Sequence, residues 1–201
     1  MNLAKAGLKD SFRNLIRSEV RLLLSKVGNF LAERNIESYV VGGFVRDELL
    51  GRDTADIDLA VAQDALNIAP EVAMALGGKY VLLDRVNRVG RVILVDKGAT
   101  SPKFQFELDF STFTGSIEQD LARRDFTIDA MAVNLSQLRK RPFIAQIIDP
   151  FHGLDDLRHG IVRVVAETAF VSDAARLLRA VRLAAEPVSY THLTLPTNRE
   201  V

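Results

Sequence analysis

The chain has 201 residues, of which 48% are hydrophobic and 26% are charged, so it can bury a substantial core in one or two domains. It contains no cysteine, which excludes disulfides and cysteine-ligated zinc sites. Basic and acidic residues number 26 each, so the net charge of zero supplies no overall basic surface for nucleic acid.

The sequence contains no apolar run of transmembrane length and no visible secretory signal. The default expectation is therefore a cytoplasmic protein without a membrane contact, and nothing in the sequence implies a protein partner. Basic residues cluster only locally, at Arg139, Lys140 and Arg141, so much of any RNA-binding surface is expected to lie outside this chain.

Hydrophobic periodicity predicts the secondary structure in chain order. Apolar residues recur at helical spacing over 10–34 and indicate an amphipathic helix that leads into the next domain. Strands are predicted near 37–41, 56–61, 80–84, 90–95 and 104–110, and helices near 44–50, 66–76 and 116–124. This order predicts an α/β or α+β fold, with a mixed sheet backed by helices.

A glycine pair follows the first predicted strand. Gly42 and Gly43 allow a sharp turn in which backbone N–H groups approach phosphate oxygens. The next helix begins at this turn, and a helix N-terminus favours anions. Arg46, in its first turn, can add guanidinium donors, so the segment predicts a phosphate-binding site.

Two carboxylates lie on the strand that follows. Asp56 and Asp58 alternate with Ile57 and therefore share one face, while Ile57 and Leu59 face the core. Two carboxylates this close repel each other unless a cation lies between them. Mg²⁺ prefers oxygen ligands and is favoured where phosphates complete its coordination.

Four segments, in the same order, resemble the motifs of the class II tRNA nucleotidyltransferase and bacterial poly(A) polymerase family. They cover 41–58, 120–130 (with the core Arg123-Arg124-Asp125-Phe126-Thr127), 149–157 and 172–182. The resemblance extends over residues 36 to 186. It implies a polymerase-β-like nucleotidyltransferase head, which transfers nucleotides to RNA without a template, followed by the start of a helical neck.

The resemblance also implies roles for individual residues. Arg124 would contact phosphate or ribose, and Asp125 would accept hydrogen bonds from ribose hydroxyls. Asp173 and Arg176, three apart on the neck helix, would together recognise the base edge of CTP or ATP, although an intrahelical ion pair is the simpler interpretation. Arg179 and Arg182 continue the same stripe and could reach the triphosphate.

A third metal ligand is expected on the strand near 104–110. Glu107 and Asp109 share the face opposite its phenylalanines. In family members with a similar run, the acidic residue just before the phenylalanine lies near the two metal-site aspartates, which favours Asp109 and leaves Glu107 as the alternative. Asp129 stands where the family often has asparagine, and its charge near Arg124 is expected to weaken nucleotide binding slightly.

The motifs predict four regions along the chain. The amphipathic helix covers 1–35, the head 36–148 and the hinge with the start of the neck 149–186, whose main helix is expected near 168–185. Residues 187–201 contain two prolines and lack helical periodicity, which predicts a disordered tail unrelated to the family, on a truncated protein.

Three functions are compatible with this sequence. The favoured one is addition of CMP and AMP from CTP and ATP to tRNA 3′ ends, giving CCA or part of it, by phosphoryl transfer with two Mg²⁺ ions. The motifs are equally compatible with a poly(A) polymerase. The third is a truncated fragment that binds nucleotide or RNA without turnover.

Overall fold

The protein is described by a computed structural model that covers residues 17–95, 105–139, 146–167, 175–185 and 192–194. The helices are α1 (Ser18–Glu33), α2 (Gly43–Leu49), α3 (Ala65–Leu76), α4 (Ile117–Leu121), α5 (Leu135–Arg139), α6 (Gly153–His159) and α7 (Ala175–Ala185). The strands are β1 (Ser38–Val41), β2 (Asp56–Val61), β3 (Lys79–Asp84), β4 (Val89–Val95), β5 (Gln105–Thr112), β6 (Ala132–Asn134), β7 (Ile147–Ile148), β8 (Ile161–Arg163) and β9 (His192–Thr194). A 3₁₀ turn covers Thr127–Asp129.

Seven of these strands form one mixed sheet in the order β3-β4-β5-β2-β1-β6-β7. β2 and β5 are parallel, whereas every other neighbouring pair in this sheet is antiparallel. A parallel pair needs a crossover connection, which α3 and the β3–β4 hairpin supply here. The mixed α/β architecture predicted from the sequence is confirmed.

The two faces of the sheet differ in chemistry because side chains alternate along each strand. Ile57 and Leu59 of β2 join the main hydrophobic core, together with Leu108 and Phe110 of β5. The opposite face of β2 carries the predicted metal ligands at its start. The acidic side chains therefore lie on the face opposite the main core, and further along that face Val41 and Ala60 join a second, smaller hydrophobic cluster.

The amphipathic helix predicted near the N terminus is α1, which buries Val20, Leu24, Val27 and Leu31 and packs against α5. Residues 10–16 of the predicted helix lie outside the described residues. α1 thus covers the apolar face of the sheet, as a packing element should.

α4 is shorter than the helix predicted for 116–124. Ser116 caps it by accepting from the N–H of Gln119, and the Gln119 side chain accepts from the N–H of Ser116. The helix ends at Leu121, and Arg124 therefore lies in the turn after it rather than on its surface.

The hinge after Asp149 is more closely tied to the head than the sequence predicts. It contains β8, a strand that the helical-neck prediction missed, and Val164 forms a bridge with Phe126 of the second motif. The N–H of Val165 also donates to the carbonyl of Asp125 (3.0 Å). Backbone pairing thus joins the hinge to the second motif.

Three residues of the predicted tail form the strand β9. β9 pairs in parallel with β8, with Leu193 opposite Val162. The alternation of threonine with apolar residues favours an extended backbone, and β8 has an edge that can accept it. The origin of residues 187–201 and the predicted domain boundaries stay predictions.

None of the helices in the described part of the chain has the length and apolar character that crossing a membrane requires.

Glu48 gives the fold a pH-dependent stability. It is 3% exposed on α2, and burial raises its pKa from 4.5 to about 7, with Arg17 opposing the shift and Asp53 and Asp47 adding to it. The folded state thus binds this proton more tightly than the unfolded chain, so the free energy of unfolding falls as pH rises from about 4.5 to 7. Glu48→Gln should remove this fall and stabilise the protein by about 1–3 kcal/mol at pH 8.

Denaturant titrations of wild type and Glu48→Gln at several pH values would measure this effect. Glu71→Gln, which alters an exposed carboxylate paired with Arg34, should change stability by less than about 0.5 kcal/mol at each pH. A difference between wild type and Glu48→Gln that does not vary with pH would contradict the assignment.

Candidate active site

The glycine turn lies beside the first predicted metal ligands. Gly42 has φ 69° and ψ −140°, a combination essentially restricted to glycine. A Cβ at this position would lie 2.6 Å from Nη1 of Arg124 and 3.2 Å from Oδ2 of Asp58. The Gly42 N–H donates to the carbonyl of Met131 (3.2 Å), which removes it from the predicted phosphate contact and leaves Gly43 and the first turn of α2.

The sheet register brings the predicted carboxylates onto adjacent strands. Asp58 is the partner of Asp109 in the parallel β2–β5 pair, and Asp56 is the partner of Glu107. Asp58 is also the partner of Val41, the residue before the glycine turn. Asp109 therefore lies next to Asp58, as predicted, whereas Glu107 lies next to the exposed Asp56.

The electrostatics of Asp58 favour a cation at this point. Burial raises its pKa to about 6; Arg124 and Arg179 oppose this shift, whereas Asp109 and Asp129 add to it. A carboxyl group in such surroundings gains from a nearby positive charge, which stabilises its ionised form. The space between Asp58 and Asp109 is where such a charge would act on both.

Arg91 of β4 is a site residue that the sequence analysis missed. Its Nε and Nη2 donate to Oδ1 and Oδ2 of Asp109 at 2.6 and 2.7 Å, and its Nη1 donates to Glu107. The one available signal was a charged residue inside the apolar run of β4. The register that brings it opposite Asp109 cannot be read from that run alone.

The carboxylates fit a divalent cation by their chemistry. Mg²⁺ takes oxygen ligands, and Asp56, Asp58 and Asp109 offer carboxylate oxygens from one face of the sheet. Across the described ranges, no three acidic or histidine side chains already converge as a metal cluster. A cation between Asp58 and Asp109 would relieve the repulsion between the two carboxylates. Arg91 binds Asp109 from the side away from Asp58.

Arg124 of the second motif lies against the glycine turn. Its Nη1 is 3.5 Å from the carbonyl oxygen of Asp129, and its Nη2 is 3.4 Å from Oδ2 of Asp120. Its Nε is buried and has no hydrogen-bond partner among the described residues. The guanidinium thus lies beside Gly42, and Asp58 approaches the same glycine.

Arg46 lies beside the glycine turn, with its Nη2 3.5 Å from the position that a Cβ on Gly43 would take, and its phosphate contact stays a prediction. It is 8% exposed, its Nη1 contacts Oδ1 of Asp129 at 2.5 Å, and its Nε and Nη2 each donate to Asp47 at 3.0 Å. The structure therefore uses Arg46 to hold Asp129 beneath the turn. A phosphate contact would require Arg46 to release these carboxylates.

Asp129 lies close to Arg124, as expected from the sequence, and its effect on nucleotide binding stays a prediction. Burial raises its pKa, and Arg46, Arg179 and Arg124 oppose that shift. Arg179 of α7 approaches Oδ2 of Asp129 at 3.7 Å and Oδ2 of Asp125 at 3.3 Å. The neck helix is thus connected to the head through two carboxylates of the second motif.

The predicted ribose acceptor is Asp125, which is 8% exposed. One of its oxygens accepts from the N–H of Phe126 and the other faces Arg179. A ribose hydroxyl would share this second oxygen with Arg179. Arg176 and Arg182 lie one turn either side of Arg179 on α7, which leaves their predicted roles as predictions.

Asp173, the predicted partner of Arg176 in base recognition, lies outside the described residues.

The third motif packs against the second motif. Asp149 accepts from the N–H groups of Gly153 and Leu154 and so starts α6. A Cβ on Gly153 would lie 2.1 Å from the carbonyl oxygen of Thr127, so the two backbones are in close contact.

Asp156 completes this support, and the sequence analysis did not single it out. Its Oδ2 accepts from Oγ1 of Thr127 (2.7 Å), and Arg163 forks onto both of its oxygens at 3.0 Å. Asp156 is 6% exposed. It therefore fixes Thr127, two residues from Asp125, through a buried carboxylate.

Removing this carboxylate should destabilise the protein. Asp156→Ala leaves the hydroxyl of Thr127 and the guanidinium of Arg163 without their acceptor, and we expect a loss of about 2–3 kcal/mol in the free energy of unfolding. Asp155→Ala is the matched control, because Asp155 pairs with Arg158 at the surface and its loss should cost under about 1 kcal/mol. Equal losses, measured by chemical denaturation, would show that Asp156 has no supporting role.

Comparison with known proteins gives related sequences over most of the chain. The chain is 35% identical over 182 residues to the A-adding tRNA nucleotidyltransferase of Halalkalibacterium halodurans. It is 37% identical over 153 residues to the CC-adding tRNA nucleotidyltransferase of Synechocystis sp.. These matches cover 88% and 75% of this chain, which spans only 42% and 33% of the two relatives.

A solved structure agrees with this relationship. The Thermotoga maritima CCA-adding enzyme complexed with tRNA superimposes with a TM-score of 0.72 and 36% sequence identity. The match covers 88% of this chain and 40% of that enzyme. Residues 38–163, which contain the sheet, the glycine turn and the carboxylates, match the family described as Poly A polymerase head domain. The family resemblance predicted from the sequence is therefore confirmed, and the chain belongs to the Poly A polymerase head domain family.

Proposed function

We propose that this chain is the head and first part of the neck of a tRNA nucleotidyltransferase, which adds CMP, AMP or both to tRNA 3′ ends. The observation that carries the proposal is the adjacency of Asp58 and Asp109 beside Gly42 and Arg124. That arrangement combines a carboxylate pair for a cation with a positively charged cradle for a triphosphate. The relatives add A or CC to tRNA, which supports this substrate class.

In the proposed reaction, the RNA 3′-hydroxyl loses its proton and forms a bond to the α-phosphorus of CTP or ATP, while the bond to pyrophosphate breaks. Asp56, Asp58 and Asp109 would hold Mg²⁺. When bound there, Mg²⁺ would supply a lowered pKa for the hydroxyl and neutralise the leaving pyrophosphate.

The remaining residues orient the nucleotide. Gly43 and the first turn of α2 would approach the phosphates, and Arg124 would neutralise their charge from the other side. Asp125 would accept from the ribose hydroxyl, which favours ribonucleotides because the buried acceptor is left unsatisfied without it. Positioning and charge neutralisation provide most of the catalysis in such transfers.

The neck supplies the proposed contacts to the base. Asp173 and Arg176 would present acceptors and donors in one plane, as a partner base does. Arg179 already reaches Asp125, so it would adjust when ribose binds, and Arg182 would extend the basic stripe. We thus propose that Asp173, which precedes α7, and Arg176 on α7 determine the choice between CTP and ATP.

Labelled CTP and ATP, given singly and together with Mg²⁺ and tRNA lacking its 3′ CCA, test the proposal. Addition of C residues, of one A, or of CCA in order would support it and identify the reaction type. Long tails from ATP alone would identify a poly(A) polymerase instead. Absence of both incorporation and Mg²⁺-dependent CTP binding would overturn the proposal, whereas binding alone would assign the chain the role of a nucleotide-binding fragment.

A further inference from the structure

Arg91 stands at one end of a row of residues that crosses the sheet. Arg91 on β4 is the register partner of Asp109 on β5, and Asp109 is the register partner of Asp58 on β2. Asp109 therefore has a guanidinium on one side and the carboxylate of Asp58 on the other. The Asp109 carboxylate can therefore bind the guanidinium or turn towards a cation beside Asp58.

The contacts show that Asp109 is turned towards the guanidinium. Nε and Nη2 of Arg91 each bind a different oxygen of Asp109, at 2.6 and 2.7 Å, in a side-on fork. The third donor, Nη1, binds Glu107, so one arginine neutralises both acidic side chains of β5. The hydrogen bond to Asp109 raises the pKa of Arg91, which is protonated at any working pH.

This fork limits what Asp109 can offer to a metal ion. Each carboxylate oxygen has two lone pairs, and a bidentate arginine takes one lone pair on each oxygen. The absence of a ready three-carboxylate cluster among the described residues agrees with an Asp109 that is held towards Arg91. A divalent cation must therefore share Asp109 with Arg91 or displace it.

We propose that Arg91 competes with the divalent cation for Asp109, so that the nucleotide-free protein binds metal weakly and the cation enters together with the triphosphate. This inference rests on the proposed function, because it takes Asp58 and Asp109 as metal ligands. In it, Arg91 is a positioning residue: Asp109 exchanges from the guanidinium to the cation when the negative triphosphate arrives. The triphosphate supplies both further ligands and the charge that the free site lacks.

The opposite role for Arg91 predicts a result of opposite sign. Residues that hydrogen-bond a metal ligand commonly orient it, and their loss weakens metal binding. If Arg91 only orients Asp109, its removal should weaken cation binding. If it competes, its removal should strengthen cation binding to the nucleotide-free protein.

Mn²⁺ titrations followed by electron paramagnetic resonance measure this without any turnover, because the signal of free Mn²⁺ is lost on binding. We expect Arg91→Met to bind Mn²⁺ roughly tenfold more tightly than wild type, the scale of a charge-assisted hydrogen bond removed from competition. Arg91→Lys keeps the charge without the fork and should lie between the two. Unchanged or weaker binding by folded Arg91→Met would overturn the inference.

Arg88→Met is the matched control on the same hairpin. Arg88 forks onto Asp64 outside the site, and its loss should leave Mn²⁺ affinity at the wild-type value. If Arg91→Met does not fold, as judged by circular dichroism, Arg91→Gln and Arg91→Lys make the same comparison against wild type. Tightening in Arg88→Met as well would show a general charge effect and would also overturn the inference.

Asp58→Asn separates this inference from the proposed function. The tighter Mn²⁺ binding of Arg91→Met should be lost in the double variant with Asp58→Asn, and its persistence there would place the metal elsewhere and overturn the inference. If wild-type incorporation requires Asp58 and Arg91→Met shows no tightening, the inference fails while the proposed function stands. If neither incorporation nor nucleotide-dependent Mn²⁺ binding requires Asp58, Asp58 is not a metal ligand and the inference fails, whereas the proposed function fails only if wild type shows neither incorporation nor Mg²⁺-dependent CTP binding.

Discussion

Asp56→Ala should abolish nucleotide incorporation and leave the fold intact. Asp56 is exposed at the start of β2, so its side chain contributes little to the core. Its proposed role is to hold a cation whose charge stabilisation amounts to several kcal/mol, which corresponds to a fall in rate of about 10³-fold or more. Incorporation of labelled CMP or AMP onto tRNA, measured over a range of Mg²⁺ concentrations, would show the loss.

Two companion variants sharpen this result. Asp58→Asn should cause a loss of similar size and also remove Mg²⁺-dependent CTP binding, because Asp58 lies beside both Gly42 and Asp109. Asp53→Ala removes a nearby exposed carboxylate that pairs with Arg17, and it should retain wild-type incorporation. Retained incorporation by Asp56→Ala would exclude Asp56 from the metal site.

Some features of the candidate site depend only on residues close together in sequence, whereas others depend on contacts between distant segments. Alternation along a strand is local, so the sequence predicted correctly that Asp56 and Asp58 share a face and that Asp109 lies opposite Leu108 and Phe110. The end of α2 was predictable for the same reason, since Gly51 has a positive φ and follows the helix. These features need no knowledge of the partner strands.

Pairings between distant segments were not predictable. Arg46 meets Asp129 across 83 positions, and Arg91 meets Asp109 only because the register of β4 with β5 places them opposite each other. The sequence shows Arg46 as a cation near a glycine turn, which is also the pattern of a phosphate ligand. Its burial against two carboxylates depends on the position of the 3₁₀ turn, which one sequence without aligned relatives does not define.

The contact of Asp156 with the second motif could not be predicted from the sequence either. Asp156 is one of two adjacent aspartates, and the sequence alone gives no reason to separate it from Asp155. In the structure Asp156 accepts from the buried hydroxyl of Thr127, whereas Asp155 pairs with Arg158 at the surface. The hinge motif therefore contacts the second motif directly through Thr127, in addition to its connection along the chain.

Gly42→Ala should impair nucleotide binding more than any other single methyl addition near the site. The new Cβ would lie 2.6 Å from Nη1 of Arg124, so the guanidinium must move away from the cradle. The backbone conformation at Gly42 is also one that alanine rarely adopts, at a cost of about 1–3 kcal/mol. We expect CTP affinity, measured by calorimetry with Mg²⁺, to fall by about 10–100-fold, the equivalent of one lost charge-assisted contact.

Gly77→Ala separates backbone strain from the clash with Arg124. Gly77 also has a positive φ, in the left-handed region at the end of α3, but a Cβ there would meet no atom within 4 Å. It should cost about 1–2 kcal/mol in stability and leave CTP affinity unchanged. If both variants lose stability and neither loses affinity, Arg124 does not contact the triphosphate. If only Gly42→Ala loses affinity, the glycine at this turn is required because the phosphate-binding guanidinium occupies the space of a side chain.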